Sequence, residues 1–372
     1  MSKAAELAAL IGSGQAQGDK NFIINGAQKV SQRGTSFTGQ GANGSAFFTD
    51  RWYCFSGGSS AGRFTATQET ITDLAGFTSA LKLDCTTADT SIGADEQLSL
   101  IQSIEAQNLQ SLGFGTSGAK PLVFSFYAKA NANKTYVAEL YKNDTTLSSQ
   151  SHTFAVTTSW QRFEIPINNT NASSIGTIVN DNGVGFYWLI NLHAGSNLTS
   201  GTINSTWLAA TQANRMPGCG SFFSSTDNTF FMTGASLEIG EVATPFEHED
   251  IGTTLAKCLR YYYRIGGASA YHRYGVGSCQ GTNSCGTVIY SPVGEMRDVP
   301  SLETTGTASD YAIYEVDGVN ACTSIPALNS AGTNSKQFNT TFTSSGNLAS
   351  GNAAEALANN NADAFLAFKA ES

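Results

Sequence analysis

The chain has 372 residues and a formal net charge of −9, with charged residues at only 13%, against roughly 25% in ordinary soluble domains. Lys and Arg total 20 and form no run, which disfavours a polyanionic partner such as nucleic acid. Hydrophobic residues at 41% exclude a disordered chain, and no stretch approaches the roughly 18 apolar residues of a membrane-spanning helix.

The opening MSKAAELAALIGSG carries Lys3 and Glu6 and does not read as a secretory signal. Leu7, Leu10 and Ile11 fall at helical spacing before Gly12 and Gly14 stop the run. One or two helical turns do not stand alone in water. A short helical anchor, ordered by another protein's surface, is therefore expected over residues 1–20, with SGQAQGDK as its joint.

From Asn21 the texture changes to short apolar runs separated by Gly, Asn, Ser and Thr. NFIING, RWYCFSGG, RFTATQ, SALKLDC, LVFSFYAKA, YVAELYKND, QRFEIPI and GFYWLINLHAG read as strands. In LVFSFYAKA the alternation gives one apolar and one mixed face, as a half-buried sheet requires. LSLIQSIEAQNLQSL fits two periods; a strand to about Ile104 followed by a helical turn is expected, because its neighbours are strands. RYYYRIG, SAYHRYGVGS, TVIYSPV, DYAIYEV, KQFNTTFTSS and DAFLAFKAES repeat the β texture to the end. The fold class expected is all-β, with two β-sandwich, jelly-roll-like domains after the N-terminal anchor.

Between the two lies ATPFEHEDIGTTLAKCLRYYY. Pro245 stops a strand, a helical turn carries the chain over, and a new sheet starts near Tyr261. The boundaries expected are 21–247, a hinge at 248–260, and 261–372. On a strand Tyr261 and Tyr263 would pack inward and Tyr262 outward. With Leu255 they make more apolar surface than a narrow hinge hides, so Leu255, Tyr261, Tyr262 and Tyr263 are expected at a subunit interface.

The seven cysteines contain no CxxC pair, so no zinc site is expected. Cys279 and Cys285 flank QGTNS and could face each other across a hairpin; the others read as small buried residues made in a reducing cytosol. His152, His193, His248 and His272 lie far apart, and no GxSxG elbow marks a nucleophile, which leaves a Ser/His/Asp triad open without pointing to one. Glu247, His248, Glu249 and Asp250 form the densest acidic cluster and read as a solvated turn with Asp250 as helix N-cap. Acids elsewhere are scattered and no long repeat is present, so an enzyme is not expected.

Sugar recognition needs an exposed ring to stack on a pyranose and planar polar groups for its hydroxyls. GFYWLINLHAG offers Tyr187 or Trp188 with Asn191 and His193, and NSTWLAATQANR adds Trp207, Gln212 and Asn214. Trp52 and Trp160 sit in stretches that read as core.

NFIINGAQKVSQRGTSFT followed by FFTDRWYCFSGG, with SLIQSIEAQNL, TSWQRFEIPI and FFMTGASLEIGEVATPFEHEDIGTTLAKCLRYYY, resembles a domain of bacteriophage tail-fibre and related virion proteins, notably of marine hosts. The resemblance covers roughly residues 20–265 and is weaker beyond, where MRDVPSLETTG carries it. It implies a carbohydrate-binding-module-like jelly roll and a virion component, often a homotrimer. Such a component would sit on the virion surface after synthesis in the host cytoplasm. It would contact other virion proteins through its N-terminus and host surface polysaccharide through one face. A capsid decoration protein or head fibre is the near alternative; a glycan-degrading enzyme and a secreted bacterial carbohydrate-binding module are the rivals. No cofactor is expected. Modules of this type often hold a structural calcium ion, but Asp50, Asp84 and Glu238 qualify only by residue type, and no site is assigned.

Overall fold

The computed structural model describes residues 21–371 and is all-β. Leu7, Leu10 and Ile11 lie outside the described residues. The chain divides into two compact units between Glu249 and Asp250.

The first unit is a jelly-roll-like sandwich of two antiparallel sheets. Its strands are β1 (Ser36–Gln40), β2 (Gly44–Phe47), β3 (Tyr53–Gly57), β4 (Arg63–Thr70), β5 (Ser79–Thr87), β6 (Gln97–Glu105) and β7 (Leu122–Ala130). They continue with β8 (Lys134–Lys142), β9 (Ser148–Val156), β10 (Gln161–Ile167), β11 (Val184–Ala194), β12 (Leu208–Ala209) and β13 (Thr229–Ile239). The six-stranded sheet runs β1-β4-β5-β13-β7-β10, and the seven-stranded sheet β12-β9-β8-β11-β6-β3-β2. The expected strand-then-turn of LSLIQSIEAQNLQSL is β6 followed by a 3-10 turn over Ala106–Leu112, closed by Gly113 in the left-handed conformation.

Alternation fills the space between the sheets. Phe124, Phe126 and Ala128 of β7 meet Leu98 and Leu100 of β6, Tyr136 and Leu140 of β8, and Phe186 and Ile190 of β11, in one apolar core. Trp52 joins it, as expected. Trp160 does not. It sits half-buried on the outer side of the six-stranded sheet, with its indole N–H donating to Asp73 Oδ1 at 2.9 Å and Lys129 Nζ 5.0 Å from its ring. An indole with a polar handle suits that amphipathic position.

The second unit opens with a helix at Ile251–Leu259, so this segment belongs to the unit's own fold. Asp250 caps it, accepting from Gly252 N at 2.9 Å and Thr253 N at 3.2 Å. Replacing this cap, Asp250→Ala, is expected to cost about 1 kcal/mol, read as a lower denaturation midpoint with unchanged slope. No loss at all would show that the helix is held by packing alone.

The second unit's strands are β14 (Tyr262–Gly266), β15 (Arg273–Cys279), β16 (Ser284–Tyr290), β17 (Ser301–Thr304) and β18 (Tyr311–Glu315). Then come β19 (Gly318–Ala321), β20 (Ala327–Leu328), β21 (Gln337–Thr343), β22 (Ala353–Ala358) and β23 (Phe365–Lys369). A three-stranded sheet, β14-β23-β17, and a seven-stranded one, β19-β18-β22-β15-β16-β21-β20, share a second core.

The three tyrosines depart from the expected pattern of burial. Tyr261 precedes the strand: its N–H donates to Cys258 O at the helix end, and its carbonyl accepts from Ala370 N at 2.8 Å. Tyr262, expected outward, is buried along with Tyr261, and Tyr263 is half-buried, its ring stacked on Phe368 at 6.0 Å. Within β14 alternation holds, with Tyr263 and Ile265 against the second core and Tyr262 on the other side; the departure is that this other side is covered at Tyr262 instead of facing water. Leu255 and Ile251 remain exposed on the helix, one turn apart.

Candidate functional site

Alternation that sends one residue of each pair into the core sends the other to the outer side of the seven-stranded sheet. There, directly opposite residues form rows. Tyr141, Tyr187 and Ser103 make one; Glu139, Leu189, Ile101, Tyr53 and Phe47 the next; Val137, Asn191, Ser99, Phe55 and Ser45 the third. Adjacent rows lie about 7 Å apart, two residues along a strand. Tyr53, Ile101 and Leu189 are buried, and Phe47, Phe55, Tyr141 and Tyr187 are half-buried around them. This is an aromatic strip on the far side of the sheet from the core.

A long excursion between β11 and β13 crosses part of the same side. It starts at Gly195, where a Cβ would lie 2.1 Å from Gly93 O, so only glycine lets the chain leave the strand there. Its short helix, Ser196–Thr199, and the segment near Gln212 wall a cleft of about 620 Å³. Phe55, Asn43, Asp95, Gln97, Asn197 and Gln212 line it. That volume suits a small ligand.

A continuous hydrogen-bond chain joins cleft and strip. Gln97 Nε2 donates to Ser99 Oγ at 2.8 Å, and Ser99 Oγ donates to Asn191 Oδ1 at 2.6 Å. Asn191 Nδ2 donates to Glu139 Oε2 at 3.1 Å. Arg215, on the excursion, grips Glu139 with two bonds: Nε to Oε1 at 2.9 Å and Nη2 to Oε2 at 3.0 Å. Its Nη1 donates to Gln212 Oε1 at 3.1 Å, and the guanidinium lies 4.7 Å from the Tyr141 ring centroid. Glu139 is fully enclosed. Burial alone would lower the Arg215 pKa, but the carboxylate of Glu139 overrides it and holds the guanidinium more firmly protonated than usual. Burial raises the Tyr141 and Tyr187 phenols, so both stay neutral donors near pH 7. Their rings lie 6.2 Å apart. The chain begins at one amide on the cleft and ends at another, so both are oriented before any ligand arrives.

The residues expected to bind sugar divide between the two faces. Tyr187 and Asn191 lie on the outer side. Trp188 does not: it is fully buried, stacked on Phe124 at 4.2 Å and edge-on to Trp52 at 5.1 Å. Trp207 is also core, stacked on Phe186 at 5.6 Å. Neither indole can stack on a ligand from solution. His193 is turned inward by a bulge between Asn191 and His193, which brings it edge-on to the core residue Phe223. Both its ring nitrogens are engaged: Nδ1 with Ser221 Oγ at 2.8 Å and Nε2 with Glu96 Oε2 at 3.0 Å. Glu139, Arg215, Phe55, Tyr53 and Tyr141 were not singled out from the sequence. The only local signal was YVAELYKND itself, where Glu139 and Tyr141 alternate with core residues.

Among the described residues no group of three or more His, Cys, Asp or Glu side chains is placed to hold a metal ion. Asp50 accepts from Gln32 N at 2.8 Å, Glu238 from Thr244 Oγ1 at 2.6 Å, and Asp84 pairs with Lys82 at 3.2 Å.

No protein-family model matches the chain. No curated protein matches it. Among solved structures, a CBM4 module is similar at TM-score 0.30, with 14% identity, over 59% of this chain and 99% of that one. A family 11 carbohydrate-binding module from Clostridium thermocellum is similar at TM-score 0.26, with 13% identity, over 55% of this chain and 99% of that one. The enzymatically active domain of tailspike protein 4 of bacteriophage CBA120 is similar at TM-score 0.30, with 9% identity; 59% of this chain is covered, and only 22% of that one. These likenesses are remote.

Proposed function

We propose that the first unit binds an uncharged oligosaccharide on the outer side of its seven-stranded sheet, and that the chain is a projecting component of a phage particle. The observation that carries the binding reading is the aromatic strip ending in an amide-lined cleft. Rings present apolar faces to pyranose C–H groups, while Gln97, Asn197 and Gln212 offer both donors and acceptors to hydroxyls. An acidic glycan fits poorly. Asp95 is the charged residue on the cleft, no Lys or Arg lines it, and Arg215 is committed to Glu139.

Phe55→Ala and Tyr187→Ala should each weaken binding of a neutral host polysaccharide by about tenfold, or 1–2 kcal/mol, with the melting temperature nearly unchanged. Affinity electrophoresis against neutral and carboxylated polymers measures this. Equal retention of wild type and both variants would sink the reading.

The virion reading rests on the resemblance of the N-terminal and 243–263 motifs to phage virion proteins. Deleting residues 1–14 is expected to keep the protein off assembled particles, whether it attaches to tail or capsid; normal incorporation would remove the anchoring role. A homotrimer belongs to the same reading, with Ile251 and Leu255 as its exposed apolar contribution. Leu255→Glu is then expected to reduce the mass measured by light scattering. Tyr262 is unsuited to this test, since a charge at a buried position would unfold the unit.

Among the described residues, the Ser221–His193–Glu96 arrangement is the feature that favours a hydrolase. We read it as structural. His193 is completely enclosed, and its bonds tie the excursion to the strand it left. No labelling of Ser221 by a fluorophosphonate probe is expected, and labelling lost in Ser221→Ala would reverse this reading.

A further inference from the structure

The β15–β16 hairpin sets two free thiols directly opposite each other. Gln280 N donates to Ser284 O at 2.9 Å, which makes residues 280 and 284 the hydrogen-bonded pair that closes the turn. Cys279 and Cys285, directly opposite each other, are therefore the next, non-hydrogen-bonded pair. In antiparallel sheets such pairs have Cα atoms about 4.5 Å apart, inside the roughly 4.4–6.8 Å span of disulfides. Both side chains point into the second core, and Cys322 belongs to the same cluster.

We propose that Cys279 and Cys285 are a cross-strand disulfide site, reduced as the chain is made and closed once the protein meets a disulfide-bearing medium. The step is thiol–disulfide exchange with a small-molecule disulfide such as oxidised glutathione. One thiol, as thiolate, attacks a sulfur of the reagent and expels a glutathione thiolate, which takes up a proton. The second cysteine then attacks the mixed disulfide, losing its own proton and expelling the second glutathione. Two protein thiols are oxidised and one small disulfide is reduced to two thiols.

Burial makes this slow. It pushes the Cys285 thiol up to about 11, raises Cys279, and pushes Cys322 up to about 12. The attacking thiolate therefore forms chiefly when the hairpin opens. Closure is then governed by which sulfur lies opposite. That is Cys279 for Cys285, whereas Cys322 bridges to Ser344 on a neighbouring strand extension.

The test uses the wild-type full chain, incubated with oxidised glutathione at mildly alkaline pH and moderate warmth until its thiol content stops changing. Thiols titrated in denaturant should fall from seven to five, the loss of one pair. A non-reducing peptide map should join Cys279 to Cys285. Cys322→Ser should leave that linkage intact. A map joining Cys285 to Cys322, or a count still at seven after the same chain has been opened and refolded in the oxidant, would overturn the proposal.

Discussion

Arg215→Met is expected to lower the melting temperature of the first unit by on the order of 10 °C. The reason is what it leaves behind. Glu139 is fully enclosed, and both its oxygens accept from Arg215. Removing one partner of a buried ion pair strands the other charge and costs about 3–5 kcal/mol, and in a unit of this size each kcal/mol moves the midpoint by about 2–4 °C. The same logic predicts rescue. Glu139→Gln with Arg215→Met removes both charges, keeps the acceptor for Asn191 Nδ2, and should recover most of the loss. Thermal melts of the single and double variants decide it. If the single variant melts like wild type, water or a shifted chain satisfies Glu139, and the pair does not hold the excursion down. The single variant should also lose saccharide binding, because Gln212 is held by the same guanidinium.

Trp188→Ala should be comparably damaging, by about 3–5 kcal/mol, while its neighbour Tyr187→Ala should be nearly silent in stability. Trp188 fills the space between Phe124, Phe126 and Trp52, and the surrounding sheets can close only part of the hole its removal leaves. Denaturant midpoints of the two variants test the orientation of the whole strand. A tolerated Trp188→Ala with a crippling Tyr187→Ala would mean that β11 presents the opposite face to the core.

GFYWLINLHAG shows how far the sequence could be read. Its alternation separates Phe186, Trp188 and Ile190 from Tyr187, Leu189 and Asn191 unambiguously. It does not say which set faces water, because both sets carry an aromatic and an aliphatic residue. Trp is the better stacking ring in isolation, and size is also what fills a core. The decision depends on Phe124 and Trp52, contributed by other strands. His193 was misplaced by the bulge, which no residue in the strand announces. Glu139 and Arg215 lie 76 positions apart, and neither has a local signature of pairing. What was legible was what local pattern controls: most of the strands, the β6 turn, the Asp250 cap and the all-β class; NFIING, expected as a strand, is instead bends and turns before β1. What was not legible depends on which strands become neighbours.

The excursion between β11 and β13 has an evolutionary consequence. Its residues 197–213 supply one wall of the cleft, while the opposite wall comes from β3, β6 and the turns beside them, and the ring strip belongs to the sheet. Loops absorb insertions at small entropic cost, since each doubling in length adds only about 0.6 kcal/mol. Lineages could therefore vary the segments on either side of β12, keeping its pairing with β9, Trp207 in the core and Arg215 as the clasp, and reshape the proposed binding cleft without altering a strand register.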